Sequence, residues 1–128
     1  MKKILCFIFV VISFCGCANS NMKLEDKNKI ETIDTETVFE IIDNKDTYII
    51  DVREDYEYRS GHLKNAYNIS LTMLNEETTV NIPKNSKVIV YCQSGNRSKM
   101  ASQILLDMGF NVYDMGGIVD WKYDIITE

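Results

Sequence analysis

The sequence has one histidine, one proline and no basic run, and each scarcity excludes something. A single histidine, His62, cannot by itself supply a histidine-rich metal site or establish a Cys-His dyad. Fourteen Lys and Arg against nineteen Asp and Glu leave a formal charge of −5. An acidic chain without a basic stretch argues against nucleic acid as a partner. There is no internal repeat and no low-complexity tract, and 128 residues amount to one domain at most.

What is present begins with an apolar run, Ile4 to Phe14, broken only by Ser13 and preceded by Lys2 and Lys3. It falls short of the roughly 20 residues a spanning helix needs, and its order of charge, apolar run and small residue is that of an export signal. The run ends in Ser13-Phe14-Cys15-Gly16-Cys17, after which the chain turns polar. This resembles the lipobox of bacterial lipoproteins, with an ordinary cleaved signal as the alternative. The resemblance implies cleavage after Gly16, lipid on Cys17, and a protein tethered to the extracytoplasmic face of a membrane (the periplasmic side if there are two). Losing two lysines and no acids takes the formal charge from −5 to −7. Residues 17–29 then form the lipidated cysteine and a polar tether that reaches roughly 40 Å when extended. Of four cysteines, Cys6 and Cys15 leave with the signal and Cys17 is acylated. Cys92 remains with no internal disulfide partner, so it is either an inert core residue or a reactive thiol.

Residues 30–128 alternate strand and helix patterns. Asp34 can cap a helix bearing Val38, Ile41 and Ile42 on one face. Tyr48 to Val52 reads as a strand, Glu54 to Arg59 as a helix stopping at Ser60-Gly61, and Ala66 to Ile69 as a second short strand. A weak helix is expected over Leu71 to Glu77, ahead of Pro83. Lys87 to Tyr91 is the clearest strand, β-branched and bounded by polar residues. A helix is expected from Ser98, with Ala101, Ile104, Leu105 and Met108 at helical spacing and Gly109 as its stop. Phe110 to Tyr113 reads as a strand, Gly116-Gly117 as a turn, and Ile118 to Tyr123 as a short closing helix. The alternation predicts an α/β domain whose sheet is mostly parallel and flanked by helices on both faces.

The chemistry concentrates where the clearest strand runs into a helix, at Cys92-Gln93-Ser94-Gly95-Asn96-Arg97-Ser98. Ligands of open α/β sheets bind at such strand ends. Gly95 allows the tight turn that aims several backbone N–H groups at one centre. The helix start adds its positive end, and Arg97 adds a cationic fork of donors. These residues make an anion cradle with Cys92 at its rim, and donors so placed favour the thiolate, which is the reactive form. An inert buried cysteine would leave Gly95, Arg97 and the helix start as coincidences.

Cys-x-x-Gly-x-Arg-Ser after an apolar strand resembles the active-site loop of the rhodanese sulfurtransferases. Further segments match that family in order: Ile50 to Glu54, Glu57-Tyr58, Ser60 to Leu63, Ala66 to Ile69, and Met115 to Ile118 with Trp121. The resemblance covers about Ile30 to Glu128 and implies a rhodanese-like α/β domain. Cysteine-dependent phosphatases, the nearest chemical competitors, carry five residues between Cys and Arg. Here there are four, a smaller ring better suited to a sulfur atom than to a phosphoryl group; arsenate reductases are disfavoured with them.

The resemblance further implies that Cys92 is the catalytic residue and Gln93 to Ser98 the substrate-binding loop. Sulfur would pass from a small anionic donor such as thiosulfate, through a Cys92 persulfide, to cyanide, a small thiol or a protein acceptor. A carrier that delivers sulfur without turnover is the alternative. No metal or organic cofactor is implied. Asp51, Arg53, Glu57 and His62 match scaffold positions, and the four-residue spacing of Arg53 and Glu57 suits an ion pair on one helix face. Trp121 reads as a core anchor.

Overall fold

A computed structural model describes residues 28–128. The predicted signal, Cys17 and nearly all of the tether lie outside the described residues. Five strands form one sheet in the order β1-β5-β4-β2-β3: β1 Glu31–Thr32, β2 Thr47–Asp51, β3 Ala66–Asn68, β4 Lys87–Cys92 and β5 Asn111–Gly117. Every pairing within it is parallel. Strands buried on both faces must be apolar almost throughout, and β4 (KVIVYC) is buried from Val88 to Cys92.

Successive side chains of a strand point to opposite faces, and that alternation divides the core in two. Ile50, Val88, Val90 and Cys92 pack on one face with Ala101 and Leu105 of helix α3, Asn96–Asp107. Ile49, Ile89 and Tyr91 pack on the other with Leu63 and with Val38 of helix α1, Thr35–Ile41. Asp34 caps α1 as its position suggests, its Oδ1 accepting the Thr37 N–H at 2.8 Å. Helix α2, Asp55–Ser60, opens with the Glu54 N–H donating to Glu57 Oε2 at 2.9 Å.

Four expectations need correction. The helix expected over Leu71 to Glu77 is a single 3-10 turn, Leu71–Met73. Beyond it Asn75 Oδ1 accepts the N–H groups of Glu77 and Thr78, and Thr78 Oγ1 donates to the Met73 carbonyl. Such local side-chain bonds offer the backbone an alternative to a helix. The closing helix shrinks likewise to a 3-10 turn, Ile118–Asp120. The chain then extends, and Ile126 makes an antiparallel bridge with His62.

Gly116 and Gly117 do not form a turn. They continue β5 beside Tyr91 and Cys92, past an irregularity in register at Val90/Tyr91. Gly116 takes the left-handed φ of 87° there, and its N–H donates to Asp114 Oδ1 at 2.9 Å. Finally, α3 starts at Asn96 rather than Ser98, which puts Arg97 inside its first turn.

Candidate active site

Cys92 is the last residue of the central strand and Gly95 the cap of α3, so only Gln93 and Ser94 bridge the two elements. A turn this tight requires Gly95 at φ 105°, a left-handed conformation in which its N–H donates to Cys92 Sγ at 3.0 Å. The N–H groups of Asn96, Arg97 and Ser98 follow in the first turn, which has no intrahelical acceptors to offer them. The first turn closes with Lys99 N–H and Ser98 Oγ both donating to the Gly95 carbonyl, at 3.3 and 3.1 Å. Cys92 is only 1% exposed, so reagents must meet its sulfur through the small mouth of the loop.

The loop rests on β5 from below. A Cβ on Gly117 would stand 2.5 Å from the Gln93 carbonyl oxygen and 2.8 Å from Ser94 Cα. Glycine is therefore what allows strand and loop to approach. The Val119 N–H also donates to the Gln93 carbonyl, at 3.3 Å. Gly117→Ala should displace the loop by a good fraction of an ångström and slow the reaction of Cys92 by about 100-fold. Alkylation kinetics of the thiol, compared with the urea midpoint of the same variant, separate a shifted loop from a weakened fold.

Two arginines flank the loop, and both are compensated. Arg97, expected to face the bound anion, makes a two-pronged bond to Glu57, Nη1 to Oε2 at 2.7 Å and Nη2 to Oε1 at 2.9 Å. Its guanidinium is held above its usual range first by that hydrogen bond and, to a lesser degree, by the charge of the Glu57 carboxylate. Arg53 does not pair with Glu57 as their spacing suggests. It is 3% exposed and bonded to Asp51 (Nη2 to Oδ2, 2.7 Å), to the Gly61 carbonyl (2.7 Å) and to Gln93 Oε1 (3.2 Å). Asp51, wholly buried, thus holds the arginine that steadies the first loop side chain. Gln93 and Ser94 are exposed at the mouth, and Asn96 is exposed on the first turn.

His62 packs against Tyr58 of α2 and pairs with Ile126. It stacks on Tyr58 with ring centroids 3.7 Å apart, and Nδ1–H donates to the Tyr58 carbonyl at 2.9 Å. Tyr91, which its sequence position marks only as a strand residue, accepts the Leu63 N–H on its hydroxyl at 3.1 Å. Burial pushes that hydroxyl well above the usual phenol range. Among the described residues no group of three or more His, Cys, Asp or Glu is placed to hold a metal ion. Nor is any described helix long and apolar enough to cross a membrane.

A family model, the rhodanese-like domain, matches residues 34–124, the span that carries strands β2 to β5, the loop and the Asp51–Arg53 pair. The chain belongs to the rhodanese-like domain family. Among its relatives is a tRNA uridine(34) hydroxylase of Photorhabdus laumondii, 37% identical over 71% of this chain and 28% of that protein. Another is an adenylyltransferase and sulfurtransferase of Ogataea parapolymorpha, 32% identical over 78% of this chain and 26% of that protein. The chain thus spans about a quarter of the length of these curated relatives. A solved rhodanese with anions from E. coli is 33% identical, with a TM-score of 0.58, covering 64% of this chain and 99% of that one.

In this rhodanese-like domain Glu57 joins the start of α2 to the start of α3. The Arg97 hydrogen bond holds the Glu57 carboxyl at a pKa of about 2, against an ordinary 4.5. A depressed folded-state value means that the stabilisation is complete above the unfolded value and is lost as pH falls toward about 2. Wild type should therefore lose its advantage over Glu57→Gln progressively between pH 4.5 and 2, as read by urea midpoints across that window.

Proposed function

We propose that the protein is an exported, membrane-tethered sulfurtransferase that carries sulfane sulfur on Cys92. The observation that carries this reading is the Gly95 N–H donated to Cys92 Sγ at 3.0 Å, at the mouth of a loop with four residues between Cys92 and Arg97. The Cys92 thiolate attacks the outer sulfur of a donor such as thiosulfate. The sulfur–sulfur bond of the donor breaks, sulfite leaves with the bonding pair, and Cys92 becomes a persulfide anion. Cyanide or a thiol then takes the terminal sulfur and restores the thiolate. In this scheme the Gly95 N–H and the first-turn N–H groups of α3 stabilise the anionic sulfur in both halves of the cycle. No metal or organic cofactor enters this scheme, and the acceptor is a small nucleophile or a protein thiol.

The near-complete enclosure of Cys92 supports a second reading, a carrier that shields a persulfide until a partner collects it. Steady-state thiocyanate formation from thiosulfate and cyanide distinguishes the two, with p-nitrophenyl phosphate hydrolysis as the comparison. Sustained thiocyanate turnover supports the enzyme, and one equivalent followed by arrest supports the carrier. Hydrolysis of the phosphate ester in place of either overturns the sulfur chemistry.

Membrane tethering is part of the same proposal and rests on Cys17. Cys17→Ser should move the protein from the membrane fraction to the soluble extracytoplasmic fraction, as read by immunoblot of fractionated cells. Undiminished retention in membranes would contradict lipid anchoring.

A further inference from the structure

Gln93, the residue after Cys92, is held from two directions, and both lead to the same segment of chain. Its backbone carbonyl accepts the Val119 N–H at 3.3 Å, and its Oε1 accepts Arg53 Nη1 at 3.2 Å. Arg53 in turn donates through Nη2 to the Gly61 carbonyl at 2.7 Å. Val119 lies in the turn Ile118–Asp120, and the chain then runs on to residues 59–62. There the His62 N–H donates to the Ile126 carbonyl at 2.9 Å and the Ile126 N–H to the His62 carbonyl at 2.8 Å. The Glu128 N–H donates to the Arg59 carbonyl at 3.2 Å. Residues 119–128 thus close a ring of contacts that starts and ends on Gln93.

Gly61 sits between the two residues that this segment grips, Arg59 and His62. The contact is close: a Cβ on Gly61 would stand 2.5 Å from Ile125 Cδ1. Asp51 fixes the Nε side of the Arg53 fork, while Nη2 is shared between Asp51 and the Gly61 carbonyl. A guanidinium is planar and rigid, so its rest position between these two acceptors sets where Nη1 points. The bond from Nη1 to Gln93, at 3.2 Å, is already longer than the other side-chain bonds of Arg53. A small shift of the Gly61 carbonyl is therefore felt first at Gln93. The segment itself is lightly held, with Ile125 47% and Ile126 44% exposed. Exposed pairings of this kind open at lower free energy than the core.

We propose that residues 125–128 are a positioning strap for the Cys92 loop, a role that takes its chemistry from the sulfurtransferase reading above. The strap holds residues 59–62, the Gly61 carbonyl sets the plane of Arg53, and Arg53 sets Gln93 at the mouth. With the strap released, Gln93 loses its register and the N–H groups of the loop lose their common aim at the sulfur. Each residue acts through the next, so the strap is a positioning element and Cys92 remains the catalytic residue.

The test uses the full-length protein and reads Cys92 in two ways, each mapped to that residue by peptide mass. One is the rate of alkylation by iodoacetamide, and the other is the single-turnover gain of one sulfur atom from thiosulfate. Ile126→Pro removes the N–H donated to His62 and should slow both rates about fivefold. Ile126→Val keeps that N–H and should react at the wild-type rate. Gln93→Ala cuts the ring at its other end and should also slow both rates about fivefold. Independent sites would then multiply to about 25-fold in the double variant, whereas one path through Gln93 leaves the loss at about fivefold. Thermal unfolding of each variant confirms that the rates are read on folded protein. Should Ile126→Pro fail to fold, Ile125→Gly loosens the same segment with every N–H retained. Its loss, about threefold, should likewise vanish in the Gln93→Ala background. Losses that multiply in the double variant, or a released strap that leaves both rates unchanged, overturn this inference. Wild-type Cys92 that alkylates but gains no sulfur from thiosulfate or an organic persulfide overturns the sulfurtransferase reading instead, and the alkylation rates then still decide the strap.

Discussion

Cys92→Ser should reduce sulfur transfer to the uncatalysed background, a loss on the order of 10³-fold or more, while leaving the fold intact. The two side chains differ by one atom, and a serine hydroxyl can accept the Gly95 N–H that the sulfur accepts at 3.0 Å. Cys92 packs among Val90, Ala101 and Leu105, so exchanging sulfur for a hydroxyl in that apolar setting should cost about 1 kcal/mol. The chemistry has no such tolerance. A hydroxyl is far less acidic than a thiol, so the oxygen anion needed for attack is scarcely populated, and oxygen cannot hold the transferred sulfur as a persulfide. Thiocyanate formation together with a thermal melt reads both halves, and activity surviving in a folded Cys92→Ser protein would remove Cys92 from the mechanism.

Arg53→Met should lower the unfolding free energy by about 3–5 kcal/mol, a large part of the roughly 5–15 kcal/mol that holds a domain of this size together. The cost comes from what remains behind. Asp51 is wholly buried at the end of β2, and Arg53 supplies it with both Nε and Nη2. Without the guanidinium, the carboxylate keeps the backbone N–H of residue 53 and the Tyr91 hydroxyl, but its buried charge has lost its counter-charge. The Gly61 carbonyl and Gln93 Oε1 lose their partner at the same time. The urea midpoint should fall accordingly. The double variant Asp51→Asn/Arg53→Met should recover part of the loss, because it removes the stranded charge along with its partner.

Local chemistry was legible in the sequence, and contacts between distant segments were not. β4 announces itself as a β-branched run, Asp34 as a cap three residues before Thr37, and the loop as a strand, a glycine and a helix start in succession. All of these depend on neighbours along the chain. The Arg97–Glu57 bridge joins residues 40 positions apart, and it forms because the sheet order sets β4 beside β2. Spacing alone pointed Glu57 at Arg53, which α2 leaves outside its first turn and the fold commits to Asp51. Gly116-Gly117 read as a turn because paired glycines usually mark one. What Gly117 does, letting β5 lie directly against Gln93 and Ser94, arises only when the two segments meet. The helix expected after Leu71 failed through side-chain bonds from Asn75 and Thr78, residue types that commonly compete with helices.

The central claim is that sulfur resides covalently on Cys92 during the reaction. The intact mass of the full-length protein after incubation with a sulfane-sulfur donor, with no acceptor present, tests it most directly. The account predicts a gain of one sulfur atom per chain, mapped by peptide analysis to Cys92 and removed on adding cyanide. A mass that stays unchanged with thiosulfate and with organic persulfides, or a gain that maps to any other residue, would contradict it.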